Sequence, residues 1–179
     1  MRLSDKLRTF VKQPCSPNEK INTHDQCDIC RVLNSSSIRN AYGEHLVIEK
    51  IYDRNYSHAG VILSKIFDIP PEALTIMSKN SKFTNFDFSK ALFIDTETTG
   101  LAGGSGTYAF LVGVGYFDGS SFTLKQYFMK DFNEETAMLY SLQKLFKDFG
   151  FIVSFNGKAY DVPLLATRFL INRMENPLE

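Results

Sequence analysis

The pattern of apolar and polar positions changes character near residue 90. Before it, the signals are weak and interrupted. Residues 1–12 predict a short amphipathic helix, with Ser4 as cap and Leu3, Leu7, Phe10 and Val11 on one side. Residues 13–42 are polar and broken by Pro14, Pro17 and the run from Asn34 to Ser37, so they read as a loop or small insert. Residues 44–54 predict a strand. In residues 61–78 the pair Pro70-Pro71 divides the pattern, and Pro71 suits the first turn of a helix reaching about Met77. Residues 79–90 read as a linker.

After residue 90 the periodicities are clear. Residues 91–97 are a short apolar run ending in acids, and residues 98–107 are rich in glycine. Residues 108–117 and 121–129 predict two strands joined by the hairpin turn Asp118-Gly119-Ser120. Asn133 is placed to cap a helix over 134–149. Its residues Met138, Leu142, Leu145, Phe146 and Phe149 form one apolar stripe, and Gly150 can end it. Residues 151–155 predict a further strand, Asn156-Gly157 a turn, and Pro163 the opening of a helix to about Arg173. A helix between strands implies a crossover and at least one parallel pair. The expected class is α/β with a mixed sheet over 91–179, behind a small α+β region over 1–90.

Composition narrows the choice of function. The chain has 179 residues, of which 44% are hydrophobic and 22% charged, the balance of a globular protein. No run approaches the roughly 18 apolar residues of a membrane span, and the basic N-terminus has no apolar signal region, so a cytoplasmic location is expected. Lys and Arg number 20 and so do Asp and Glu, which excludes a general basic coat for nucleic acid. The excess of acid lies in the second half, so a polyanion bound there needs cations to mediate it.

Two motifs carry chemistry. The first is Phe93-Ile94-Asp95-Thr96-Glu97-Thr98-Thr99-Gly100. On a strand Asp95 and Glu97 point to the same face, with attachment points roughly 7 Å apart. At an effective dielectric of 20 they repel by about 2–3 kcal/mol. A hard divalent cation, Mg²⁺ or Mn²⁺, is the natural compensator; two solvated surface acids are the plainer reading. The second is Ser154-Phe155-Asn156-Gly157-Lys158-Ala159-Tyr160-Asp161, between a strand and a helix. If its strand pairs in parallel with the first, Asp161 comes to the same cavity as a third carboxylate. Asn156 can bond the backbone or a substrate strand, and Lys158 can reach a phosphate. The plainer reading makes Asp161 a helix cap.

Asp95-Thr96-Glu97-Thr98-Thr99-Gly100, followed some 60 residues later by Asn156-Gly157-Lys158-Ala159-Tyr160-Asp161, resembles the first two motifs of the DEDD 3′–5′ exonucleases, of ribonuclease H-like fold. The fuller stretches 91–119 and 155–169, with Tyr52-Asp53, Tyr56, His58-Ala59-Gly60 and Leu63-Ser64 upstream, resemble the YprB-like branch of that superfamily over roughly residues 43–175. The resemblance implies phosphodiester hydrolysis of DNA or RNA by two divalent ions about 3.5–4 Å apart. Asp95 would bridge both ions, Glu97 would bind one, and Asp161 would act on the other directly or through water. It also implies a fourth Asp, preceded by a Tyr or His that positions the attacking water. Only 18 residues follow Asp161 and none is Asp or His, so the expected fold is C-terminally incomplete. A non-catalytic nucleic-acid- or protein-binding module, or a fragment without function, is the alternative expectation.

The remaining features are secondary. The glycine-rich stretch opened by Thr98 and Gly100 reads as a floor for a terminal nucleotide or as a plain connection, and it is not a Walker A loop. Gly113 and Gly115 are expected to relieve packing or mark a bulge. Cys15, His24, Cys27 and Cys30 are four candidate Zn²⁺ ligands, but their irregular spacing favours a polar loop with incidental thiols. His45 and His58 read as structural. Arg168 and Arg173, close in sequence to Asp161, can contact a phosphate, and a solvated helix face is the plainer reading.

Overall fold

The structure, a computed structural model, describes residues 28–100 and 105–178. The predicted 1–12 helix lies outside the described residues, as do Cys15, His24 and Cys27. The first elements are helix α1 (Asp28–Leu33), strand β1 (Ser36–Asn40) and strand β2 (Gly43–Asp53). A small hairpin of β3 (Ser57–His58) and β4 (Val61–Ile62) follows, then helix α2 (Pro71–Ser78). The second half contains β5 (Ala91–Thr98), β6 (Ala109–Asp118), β7 (Ser121–Phe128), helix α3 (Glu135–Phe146), β8 (Phe151–Val153) and helix α4 (Asp161–Ile171).

Six strands form one mixed sheet in the order β1-β2-β7-β6-β5-β8. Among the described strands only β5 and β8 pair in parallel, with Phe93 opposite Val153, because α3 carries the chain across between them. The β6–β7 hairpin closes at Gly119, whose φ of 56° is left-handed backbone that glycine adopts without steric cost. The α/β class and mixed sheet are as expected. The sheet is not confined to 91–179, however, since β2 pairs with β7 along eight residue pairs from Leu46↔Phe128 to Asp53↔Ser121.

The core lies on one face of this sheet. Leu92, Ile94, Val112, Val114 and Tyr127 meet Met138, Leu142 and Phe146 of α3 and Leu164, Leu165 and Phe169 of α4. Burial of each large side chain there contributes about 1.5–3 kcal/mol. His45 is buried within β2, its ring stacked on Tyr127 at 5.9 Å, and neither ring nitrogen has a hydrogen-bond partner. Burial pushes its pKa down to about 4, against the opposing charge of Glu44.

The opposite face is covered only towards its ends. At one end Cys30 of α1 packs on Leu46 and Phe128. At the other, Phe67 sits edge-on to Phe117 at 4.7 Å and to Phe88 at 6.4 Å.

Three local expectations are corrected. Residues 28–40 contain a helix and a strand, not a loop. β1 is an edge strand with four exposed side chains in five, so backbone pairing to β2 forms it and no apolar alternation announces it. Asn133 does not cap α3. Asp131 accepts from the Phe132 N–H and caps a short 3₁₀ turn, Phe132–Glu134, which leads into α3 at Glu135. Pro163 lies inside α4, not at its start, where first-turn N–H groups lack intrahelical partners anyway. Among the described residues no helix is long and apolar enough to cross a membrane.

Candidate active site

Alternation along β5 decides where its acids go. Leu92 and Ile94 enter the core, so Asp95 and Glu97 stand on the other face, both exposed. Asp95 pairs with Gly113 and Glu97 with Leu111 on β6, and Gly113 pairs in turn with Gln126 on β7. Gly113 therefore leaves a gap beside the Asp95 carboxylate, at the level where Gln126 stands on the next strand. The acids border an open cavity of about 410 Å³ whose lining includes Phe93, Gly113, Gly115, Phe122, Leu124 and Gln126. Gly115 relieves packing, as expected: a Cβ there would meet the Phe122 ring at 2.6 Å. The strand irregularity lies instead between Glu97 and Thr98, where the register with β6 shifts.

The second motif is built on the helix-covered side. Thr96, between the two acids, faces away from them and donates through Oγ1 to Oδ1 of the buried Asp161 at 2.5 Å. Tyr160 donates its hydroxyl proton to the Gly100 carbonyl at 2.8 Å and lies 3.0 Å from Thr98 Oγ1. Thr98 Oγ1 also donates to the Gly100 carbonyl at 3.0 Å. Gly157 is tightly enclosed, since a Cβ there would lie 1.9 Å from Ser154 Oγ and 3.2 Å from Asp161 Oδ2. Asn156 and Lys158 are exposed, Asn156 in left-handed backbone at φ 56°.

The motifs meet across β5, but the three carboxylates do not share a crevice. Asp95 and Glu97 occupy the open face, and Asp161 is held by Thr96 under α4. Among the described residues no group of three or more His, Cys, Asp or Glu side chains is placed to hold a metal ion. The pair of open-face acids offers two hard oxygen donors to one cation. Asp161 does not fit as a shared ligand in this arrangement. The physical reason is the pleat: a partner of the intervening Thr96 is a partner of the opposite face. Of the Zn²⁺ candidates only Cys30 is described, buried against Leu46 and Phe128.

A polar centre that sequence reasoning missed lies behind the site. Arg168 is 2% exposed and not on a solvated face. Its Nε and Nη2 each donate to Glu135 at 2.6 Å. Its Nη1 donates to the Ser105 carbonyl at 2.7 Å, and its guanidinium lies 3.9 Å from the Tyr108 ring centre. Asn172 donates to Glu135 at 2.9 Å. Burial opposes the Arg168 charge, but the hydrogen bonds and charge of Glu135 outweigh it, and the pKa moves up. The cluster ties α3, α4 and the approach to β6 together. A signal was present: Arg168 falls on the same helical stripe as Leu164 and Leu165, where a solvated residue is out of place.

Comparison with known proteins bears on the fold. Residues 92–178 match a family model described as the RNase_H superfamily. Over 92 residues the chain is 35% identical to a Bacillus subtilis (strain 168) protein called "Uncharacterized protein YprB". That match takes in 51% of this chain and 22% of the relative, so the chain spans about a fifth of the protein it matches.

Proposed function

We propose that residues 92–178 form a ribonuclease H-like domain of the YprB-like kind and that the protein is a nuclease of the 3′–5′ exonuclease type, hydrolysing phosphodiester bonds of DNA or RNA. One observation carries the reading. Asp95 and Glu97 are exposed side by side on β5, at the edge of a cavity left open by Gly113. Paired acids so placed suit one Mg²⁺ or Mn²⁺ ion, which when bound would supply Lewis-acid polarisation of a phosphate. Among the described residues Asp161 is not grouped with Asp95 and Glu97 as a three-acid set, its Oδ1 being held by Thr96 on the covered face.

The chain's own residues divide the remaining work. Asn156 and Lys158 are exposed on the turn after β8 and are available to substrate. Thr98 and Gly100 act through shape: their hydrogen bonds with Tyr160 hold the backbone at the end of β5. Asp161 and Thr96 fix α4 against β5.

The position of Asp161 favours a second reading, a nucleic-acid-binding module without turnover. End-labelled single strands incubated with Mg²⁺, Mn²⁺ or EDTA separate the two. Stepwise shortening from the 3′ end that needs the cation and disappears in Asp95→Ala is the outcome expected of the nuclease. Cation-independent binding with no shortening is the outcome expected of the module.

A further inference from the structure

Among the described residues, Phe155 is the most exposed large apolar side chain, at 96%. A phenyl left in water forgoes the stabilisation that burial brings, and packing among the described residues does not account for it. The turn that presents it is well braced. Asn156 is left-handed at φ 56°, its carbonyl accepts from the Ala159 N–H at 3.0 Å, and the Gly157 carbonyl accepts from Val162 at 2.9 Å. Gly157 has no room for a Cβ, which fixes the turn further. Lys158 is exposed three residues after Phe155. Phe155 lies two residues past β8, whose last parallel pair is Phe93↔Val153, and Asp95 lies two residues past Phe93 on the neighbouring strand.

We propose that Phe155 is a stacking platform for an unpaired nucleobase of the strand whose phosphate approaches Asp95 and Glu97, with Lys158 taking a neighbouring phosphate. The inference rests on the nuclease reading and adds to it a residue that binds the strand. The charge balance supports it. With 20 basic and 20 acidic residues the chain has no basic coat, so affinity must come from contacts other than a field of cations. Aromatic stacking meets that need, tolerates any base, and excludes a duplex whose bases are already stacked on each other.

The chain contains no tryptophan, so Phe155→Trp introduces a single reporter. It is titrated in Mg²⁺ with a phosphorothioate-linked single strand, which resists hydrolysis, and with the matching duplex. Met77→Trp, at an 81% exposed position of α2, is the control. Saturable quenching of Phe155→Trp by the single strand, far weaker with duplex and absent from Met77→Trp, is expected. In anisotropy measurements Phe155→Ala and Phe155→Leu should bind the strand roughly 5- to 100-fold more weakly, with thermal unfolding unchanged. An unquenched reporter while anisotropy shows the strand bound overturns the platform and leaves the nuclease reading standing. So does an Ala variant of undiminished affinity, or one that only loses self-association in sedimentation. No strand binding by any form sinks both.

Discussion

The two faces of the central sheet have opposite designs. The covered face buries Leu142, Leu165 and Phe169 completely and, His45 apart, pairs polar groups internally, as in Glu135–Arg168 and Thr96–Asp161. The open face keeps Asp95 and Glu97 in water, has Gly113 where a side chain would fill the gap, and gains most of its packing from α1 and the aromatic cluster at its ends. One strand, β5, serves both, because successive residues point to opposite sides. Stability and the proposed chemistry thereby fall to alternate residues of the same eight-residue segment.

Substitutions on the two sides should separate these roles. The largest effect is expected at Glu135→Ala, which leaves the Arg168 charge buried without its partner. Chemical denaturation should show a loss of about 3–5 kcal/mol. If the loss is under about 1 kcal/mol, the polar centre is not what fastens the covered face.

Next comes the acid response of His45. The unfolded imidazole takes up a proton near pH 6.5, whereas the folded one resists until about pH 4. The unfolded chain binds more protons in that window, so the contribution is fully present above pH 6.5 and is lost as pH falls towards 4. The loss is about 3 kcal/mol, and His45→Phe should show a flatter stability profile over the same range. Parallel profiles for the two proteins would assign the acid sensitivity elsewhere.

The smallest effect on folding belongs to the open face. Asp95→Asn should change stability by no more than about 0.5 kcal/mol, because the side chain is exposed and unpaired in packing terms. The same substitution should remove cation-dependent turnover. A variant that unfolds readily, or one that retains full activity, would break the division between the faces.

Much of this was legible in the residues. The apolar lead-in to Asp95 and Glu97, the hairpin around Gly119 and the stripe of Met138, Leu142 and Phe146 are each written within one element, at spacings of two or about three to four residues. β1 was not legible, because its side chains are exposed and its backbone partner supplies the order. Arg168 was misread because charge suggests solvent until a buried acid on another helix is found for it.

After residue 90 the residue pattern alone thus determined the elements, their order, the parallel pairing that a crossover helix demands, and the shared face of Asp95 and Glu97. Tertiary structure decided that Asp161 joins Thr96, 65 residues away, and that Glu135 neutralises Arg168, 33 residues away. Periodicity is a property of neighbours along the chain, and any helix or strand displays it. Which side of a strand a later helix covers depends on the packing of the whole sheet, and no local spacing encodes that.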